Sequence, residues 1–363
     1  MIASLQSRGF RNLTGAPTAL GPGINLLHGP NAAGKTNLLE AVYFGLAGRS
    51  FRGGSDRDMI SFDQPSARVE LALEGAEGSQ LLAALDRAGE RRHRLDGRPL
   101  TGGAGERPLV SVFHPDRLQL VKGPAAHRRA HLDRLVAALW PSRSDLRTRF
   151  GRSLAQRNAL VARVRAGLAP ASALAAWDEQ LAAEAEPLIA SRAEAVDRLA
   201  RPYERFAHEL GLEDAAIAYR QRAEGGEAEI AAELGLRRER DLGRAYTSYG
   251  PQLDEVEIKL AGRPLRRFGS QGQQRVALLA LLFAERAALI ESRRPAPVML
   301  LDDVMSELDP RRRELLVAAL APSGQALLTA TEQEHVPVTG EINRIAVRDG
   351  RTTALAAAAR AAV

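Results

Sequence analysis

Eight residues near the start of the chain, Gly29-Pro30-Asn31-Ala32-Ala33-Gly34-Lys35-Thr36, follow the Walker A pattern G-x-x-x-x-G-K-[ST]. Each type has a task in holding a polyphosphate. The glycines let the backbone turn so that successive N–H groups face phosphate oxygens, and a helix starting there adds the positive end of its dipole. Lys35 offers a compact charge to the β- and γ-phosphates, and the Thr36 hydroxyl offers a ligand to Mg²⁺. The chain carries three lysines, Lys35, Lys122 and Lys259, among 50 basic residues. A lysine kept at this position is informative, because a bulky guanidinium would not fit the same nest.

A second group of chemical residues lies 266 positions downstream of Thr36. The apolar run Val298-Met299-Leu300-Leu301 ends in Asp302-Asp303, as a buried parallel strand would at its carboxyl end. Asp302 is the expected Mg²⁺ ligand, directly or through a water, and Asp303 stands where an attacking water could be oriented. Between the two groups runs Phe268-Gly269-Ser270-Gln271-Gly272-Gln273-Gln274-Arg275, followed by an apolar stretch over 276–284. Ser270 can cap a helix there, and exposed N–H groups beside a glycine make another anion site. Taken alone, that segment is a capped helix with no further role.

Elements must bring these groups together. Residues 1–50 read as strand, turn, strand, glycine-rich loop and helix, and residues 69–73, 81–85 and 109–113 read as strands between turns. From His127 to about Leu210 the apolar residues, Leu174, Trp177, Leu181, Ala185, Leu188, Val196, Leu199, Tyr203, Phe206 and Leu210 among them, recur mostly at spacings of three, four or seven. Pro187 and Pro202 are expected to kink or break that helix. A second helical patch covers 227–242, and strands return near 256–260. The alanine-rich tail from Ala354 reads as helical or frayed. The expected organisation is an ATPase lobe from residues 1–122 and 245–363, with a helical lobe inserted at 123–244.

Composition bounds the remaining choices. A chain of 363 residues with 45% hydrophobic and 26% charged residues has material for two buried cores. With no cysteine it carries no disulfide and no thiolate metal site, as suits a reducing cytoplasm. Residues 1–23 show no export signal, and the nine-residue apolar run 276–284 is far short of the roughly 20 residues of a membrane span. A cytoplasmic protein is expected. Between Arg128 and Arg165 ten arginines face only Asp133 and Asp145, a local excess of eight positive charges. That block, led by Arg128, Arg129 and Arg134, is a candidate phosphate-contacting face, and equally the pattern of a solvated helix face.

The ordered set of Walker A, the serine-glycine-glutamine signature at Ser270, Asp302-Asp303 and then Ser306-Glu307-Leu308-Asp309 resembles that of ABC-type ATPases. Within that superfamily, four stretches resemble RecF. They are Arg8-Gly9-Phe10-Arg11-Asn12-Leu13, the segment from Phe113-His114-Pro115-Asp116 to Lys122-Gly123 with Arg128-Arg129 and Leu132-Asp133 behind it, Ser270 to Arg275, and Leu300 to Asp303 with Ser306 to Asp309. The resemblance implies an α/β fold, an ABC-type P-loop ATPase lobe with a mainly helical second lobe. It also implies a weak DNA-dependent ATPase that uses ATP and Mg²⁺, with Ser270, Gln271, Gly272 and Gln273 joining residues 29–36 as nucleotide contacts and with Lys35 and Asp303 as catalytic groups. In such a protein ATP closes two chains head to head on duplex, gapped or single-stranded DNA, with RecR and RecO as partners in loading RecA for recombinational repair and SOS induction.

Some positions depart from these patterns. Gly250-Pro251 is followed by Gln252-Leu253-Asp254-Glu255, where RecF leads one to expect a histidine-arginine pair. Thr329-Ala330-Thr331 stands where ABC transporters usually have a histidine, and Asp303 where they have glutamate. The shorter side chain holds a water less well, so slow hydrolysis is expected. No clear Q-loop glutamine follows residues 110–113, and no residue is assigned to that role. A transporter ATPase subunit would need that glutamine and that histidine, and long-armed chromosome-organising ATPases need several hundred residues of heptads. A P-loop kinase would not explain Ser270 or Ser306 to Asp309.

Overall fold

The computed structural model describes residues 1–354 except 53, 75–77, 101–108, 322–323 and 338–340. It has two compact units. The first comprises residues 1–118, 209–211 and the described residues after 292; the second comprises 119–208 and 212–292.

Two sheets and the helices α1 (Lys35–Ala47) and α10 (Pro310–Leu320) frame the first unit. One sheet holds β3 (Ile24–His28), β8 (Val110–Phe113), β12 (Val298–Leu301), β13 (Ala326–Ala330), β14 (Ile342–Arg348) and β15 (Arg351–Ala354) in the order β15-β14-β3-β13-β12-β8. All pairs are parallel except the β14–β15 hairpin. Every residue of β12 and β13 is buried, which is why these strands read as unbroken apolar runs. The other sheet is antiparallel: β1 (Ile2–Arg8), β2 (Thr18–Ala19), β4 (Ser66–Leu73), β5 (Gln80–Asp86), β6 (Arg91–Leu95) and β7 (Arg98–Pro99), in the order β2-β1-β4-β5-β6-β7. Helix α1 (Lys35–Ala47) is buried along residues 38–46, in one core with Val69 and Leu71 of β4 and Leu300, Leu327 and Ile345 of the parallel sheet. Apart from Glu40, that stretch is apolar or small on every side, as a position within a core requires. Helix α10 (Pro310–Leu320) is capped by the Asp309 carboxylate, which accepts from Arg312 N.

The second unit is mainly helical. It contains α2 (Gln119–Lys122), α3 (Ala125–Leu139), α4 (Leu146–Arg165), α5 (Leu174–Glu209, but for its last residue), α6 (Glu227–Leu236), α7 (Arg238–Arg244), α8 (Leu265–Phe268) and α9 (Gln271–Glu291). A small antiparallel sheet, β11 (Arg263–Pro264), β10 (Glu255–Leu260) and β9 (Ala215–Arg220), completes it. The unit runs past residue 244, where the sequence suggests its end, to Ser292. β10 pairs with β9 over six residue pairs, and α9 packs on α2 and α3, so the signature segment belongs with the helices.

Other expectations are refined in the same way. α5 runs unbroken through Pro187 and Pro202. Each proline removes one helix hydrogen bond, but the stripe that includes Leu181, Leu188, Val196, Leu199 and Tyr203 is buried and holds the helix together. β6 and β9 are additional strands. The alanine-rich tail beyond Ala354 lies outside the described residues.

Candidate active site

The glycine-rich loop leaves the parallel sheet at the end of β3 and enters α1 at Lys35. Gly29 has φ 152°, and a Cβ there would lie 2.1 Å from the Val347 carbonyl oxygen on β14, so the position admits only glycine. No side chain caps the first turn of α1, which leaves its N–H groups for an anion. Lys35 Nζ donates to the carbonyls of Gly29 at 2.7 Å and Pro30 at 2.8 Å. Burial holds its pKa below the usual lysine value, and the charges of Asp303 and Asp302 partly offset this.

Strand order closes the long gap in sequence, since β3, which feeds α1, and β12 both flank β13. Asp302 Oδ1 accepts from Thr36 Oγ1 and from Thr329 Oγ1, each at 2.9 Å. Thr329 Oγ1 in turn accepts from Asp303 N at 2.8 Å. The Thr329 hydroxyl therefore ties both carboxylate residues to β13. Asp303 adopts φ 50°, and together with Lys35, Thr36 and Asp302 it lines a cleft of about 290 Å³. A carboxylate and a hydroxyl in contact are hard oxygen donors of the kind Mg²⁺ takes when substrate phosphates and water complete its shell. The residues present fit the ion.

Three further features of this cleft were not anticipated from the sequence. His114 follows β8, with Nε2 3.7 Å from Asp302 Oδ2 and its ring against Phe51 at 5.2 Å between centroids. Asp116 N donates to His114 Nδ1 at 3.3 Å, which leaves the ring hydrogen on Nε2, facing Asp302. Burial lowers the His114 pKa, with Asp302 and Asp116 opposing, so the ring is neutral near pH 7. Only the strand order reveals this neighbour, because it sets β8 beside β12. Next, the fully buried Glu40 carboxylate of α1 accepts from Arg11 Nε and Nη2, both at 2.9 Å, and from Ser50 Oγ at 2.6 Å, with Arg52 Nη1 at 3.6 Å. Arg52 lines the cleft. Finally, the β14–β15 turn braces the loop: Gly350 N donates to Ala33 O at 2.8 Å, and Thr14 N donates to Gly350 O at 3.2 Å.

Residues 1–353 match the RecF/RecN/SMC N-terminal domain family. The DNA replication and repair protein RecF of Heliobacterium modesticaldum is 36% identical, over 95% of this chain and 96% of its own. RecF of Anaeromyxobacter sp. strain K is 38% identical over 93% of this chain and 95% of its own. The chain belongs to the RecF family. A solved structure of the recombination mediator protein RecF with ATP, from the RecFOR pathway, superposes with a TM-score of 0.85 at 27% identity, covering 98% of this chain and 97% of that one. An SMC head bound to ScpA, at TM-score 0.58 and 16% identity, shares the fold. Family membership accounts for the α/β ATPase fold with its helical unit and sets aside the transporter subunit.

In this RecF-family chain the remaining expected site residues divide between surface and interior. Ser270, Gln271, Gly272 and Gln273 open α9 in the second unit, and Ser270 caps the helix reciprocally: its Oγ accepts from Gln273 N at 3.2 Å while its N donates to Gln273 Oε1 at 2.8 Å. Among the arginines the expectation of one surface block needs correction. Arg128 is 5% exposed; its Nε and Nη2 grip Glu255 at 2.8 and 3.1 Å, and Nη1 donates to Gly123 O at 2.7 Å. Arg129 is half-buried and donates to Asp254 O at 2.8 Å. Arg157 is wholly buried between Asp178 and Asp241. A chain poor in lysine builds its internal ion pairs from arginine, whose planar fork suits bidentate burial. Arg134 and, on α4, Arg147, Arg149, Arg152, Arg163 and Arg165 are exposed. At the departure from the expected histidine-arginine pair, Gln252 Nε2 bonds the carbonyls of Thr247 and Tyr249, and Leu253 is exposed.

Proposed function

We propose that this RecF-family chain is a slow, DNA-dependent ATPase whose ATP-bound form pairs head to head with a second copy and holds DNA at gaps, releasing it on hydrolysis. One observation carries the reading: in the first unit the phosphate loop, Asp302 and Asp303 converge on one cleft, and in the second unit the N-terminus of α9 at Ser270 is capped and exposed. Two half-sites of this kind are completed by a second chain, with Ser270 to Gln273 of one copy meeting the nucleotide on residues 29–36 of the other. Mg²⁺, when bound by Thr36 and Asp302, supplies positive charge at the β- and γ-phosphates. Lys35 binds those phosphates, and Asp303 orients the water for in-line attack. The shorter Asp303 carboxylate in place of glutamate accords with slow turnover.

The duplex-contacting face is assigned to Arg134 and the exposed α4 arginines, and the partners to RecR and RecO, with RecA loading and SOS induction as the outcome in the cytoplasm. Among the described residues no helix is long and apolar enough to cross a membrane. Gel shifts with ATP, ADP and no nucleotide test the reading. DNA should be retained with ATP and lost with ADP, and affinity should fall with salt by about 0.9 log units per phosphate contact per log unit of salt. Arg134→Ala with Arg152→Ala and Arg163→Ala should flatten that slope. Equal retention with ADP and ATP would remove the nucleotide from control of binding.

A further inference from the structure

The antiparallel sheet of the first unit has an outward face that the nucleotide cleft does not use. Its inward residues, Leu5, Val69, Leu71, Leu81, Ala83 and Leu85, are buried. Strand register sets what stands on the other side. Arg8 of β1 lies directly opposite Arg68 of β4, Arg68 opposite Ala84 of β5, and Ala84 opposite Arg92 of β6. With strands about 4.8 Å apart, three arginines form one row across four strands. Arg94, two positions along β6 and opposite Leu82, extends it. All four are exposed, Arg68 and Arg92 by 50% and 61% of their side chains.

Acidic groups offset only part of this charge. Glu70 pairs with Arg68 at 2.6 Å, and Glu90 with Arg92 at 3.1 Å. Asp86 lies opposite Ser66, one end of the sheet away from Arg94, and accepts from Glu90 N. Arg8 faces another arginine, and like charges set directly opposite weaken a sheet. An anion across the row would relieve that repulsion.

Next to the Arg8 end stands Phe62, 98% exposed. Its loop is held firmly. Ser61 N donates to Gly9 O at 2.9 Å and Ser61 Oγ to Arg11 O at 2.5 Å. The Arg87 guanidinium donates to the carbonyls of Ser61, Phe62 and Gln64. The backbone is thus fixed on both sides of a ring left in water. Asp63, next in sequence, is also exposed.

An exposed aromatic ring on an anchored loop next to the Arg8 end of the row matches a strand whose bases are unstacked, with a base on the ring and phosphates on the guanidiniums. A duplex presents no free base face to the ring. We propose that this face binds single-stranded nucleic acid, with a base stacked on Phe62 and phosphates on Arg8, Arg68 and Arg92. The proposal rests on the reading that the chain binds DNA and adds to it a surface and a strand state.

The test uses the full chain with ATP and measures fluorescence anisotropy of labelled oligo-dT and of a duplex of equal length, over a salt series. Phe62→Ala should weaken oligo-dT binding about tenfold, leave its salt slope and duplex binding unchanged, and be rescued by Phe62→Trp. Arg8→Ala, Arg68→Ala and Arg92→Ala together should reduce the single-strand salt slope by about 2. An iodouracil-substituted oligonucleotide should cross-link to the peptide carrying Phe62. Unchanged binding of a fluorescent ATP analogue shows that each variant is folded. If the parent chain binds oligo-dT and the variants match it, this surface is excluded while the DNA reading stands. If the parent chain binds neither probe, the DNA reading itself falls and takes the surface with it. Loss of association with a second protein chain at unchanged oligo-dT affinity would make Phe62 a protein anchor and overturn the assignment.

Discussion

Asp303 shows how much one side chain's role depends on its backbone. At φ 50° it occupies the left-handed region, which asparagine tolerates as well as aspartate does. Asp303→Asn therefore keeps the turn and the bond from its N–H to Thr329, and removes only the negative charge that orients water. ATP binding should stay within about twofold while single-turnover hydrolysis falls by about a hundredfold or more. Hydrolysis at the parent rate would take Asp303 out of that role. The arginines teach the opposite lesson. Arg128 and Arg134 are alike in a sequence, six residues apart on α3, yet one is buried against Glu255 and the other is exposed. Nothing in the local run of residues separates them, because the partner of Arg128 comes from a strand 127 positions away.

Among the elements, the β14–β15 hairpin carries an unexpected share of the nucleotide site. Gly350 has φ 72°, and a Cβ there would lie 1.9 Å from the Asn12 carbonyl oxygen, while its N–H supports Ala33 inside the phosphate loop. Gly350→Ala should push the turn off the loop. The expected outcome is a loss of roughly 1–3 kcal/mol of stability and a clear fall in ATP affinity, read by thermal denaturation with and without nucleotide. An alanine variant that binds ATP like the parent would show that the brace is not needed. β6, Arg91-Arg92-His93-Arg94-Leu95, escapes a reading based on alternating apolar residues because its inward positions include Arg91 and His93. Those two meet Asp56 and the Gly45 carbonyl rather than an apolar core.

At the scale of the whole molecule, the proposed pairing of two chains makes a prediction that no single chain can meet. Lys35→Met removes the phosphate grip, and Ser270→Arg fills the place of the γ-phosphate cap with a bulky side chain. Each variant alone should be inactive. A heterodimer joins the intact loop of the Ser270→Arg chain to the intact signature of the Lys35→Met chain, so one site is whole and the other doubly broken. ATPase activity should return on mixing and peak at equal amounts. An active Ser270→Arg homodimer, with mixtures that only average the two, would confine the site to one chain.

The phosphate loop, Asp302, Asp303 and the Ser270 cap were legible in the residues alone, because each is a local pattern: a glycine-lysine spacing, an apolar run ending in carboxylates, a serine three residues before a glutamine. The buried helix over 276–284 and three strands of the parallel sheet, at 24–27, 109–113 and 298–301, were legible for the same reason, since burial leaves an apolar run, whereas β13, β14 and β15 were not read. Tertiary structure decided the rest. Strand order, which puts β8 and β13 on either side of β12, brought His114 and Thr329 to Asp302 and closed the 266 positions between Thr36 and its partner. Long-range pairing drew β10 and α9 into the helical unit and turned Arg128 and Arg157 inward. Such contacts depend on which segments meet in space, and a linear pattern of residue types carries no record of that meeting.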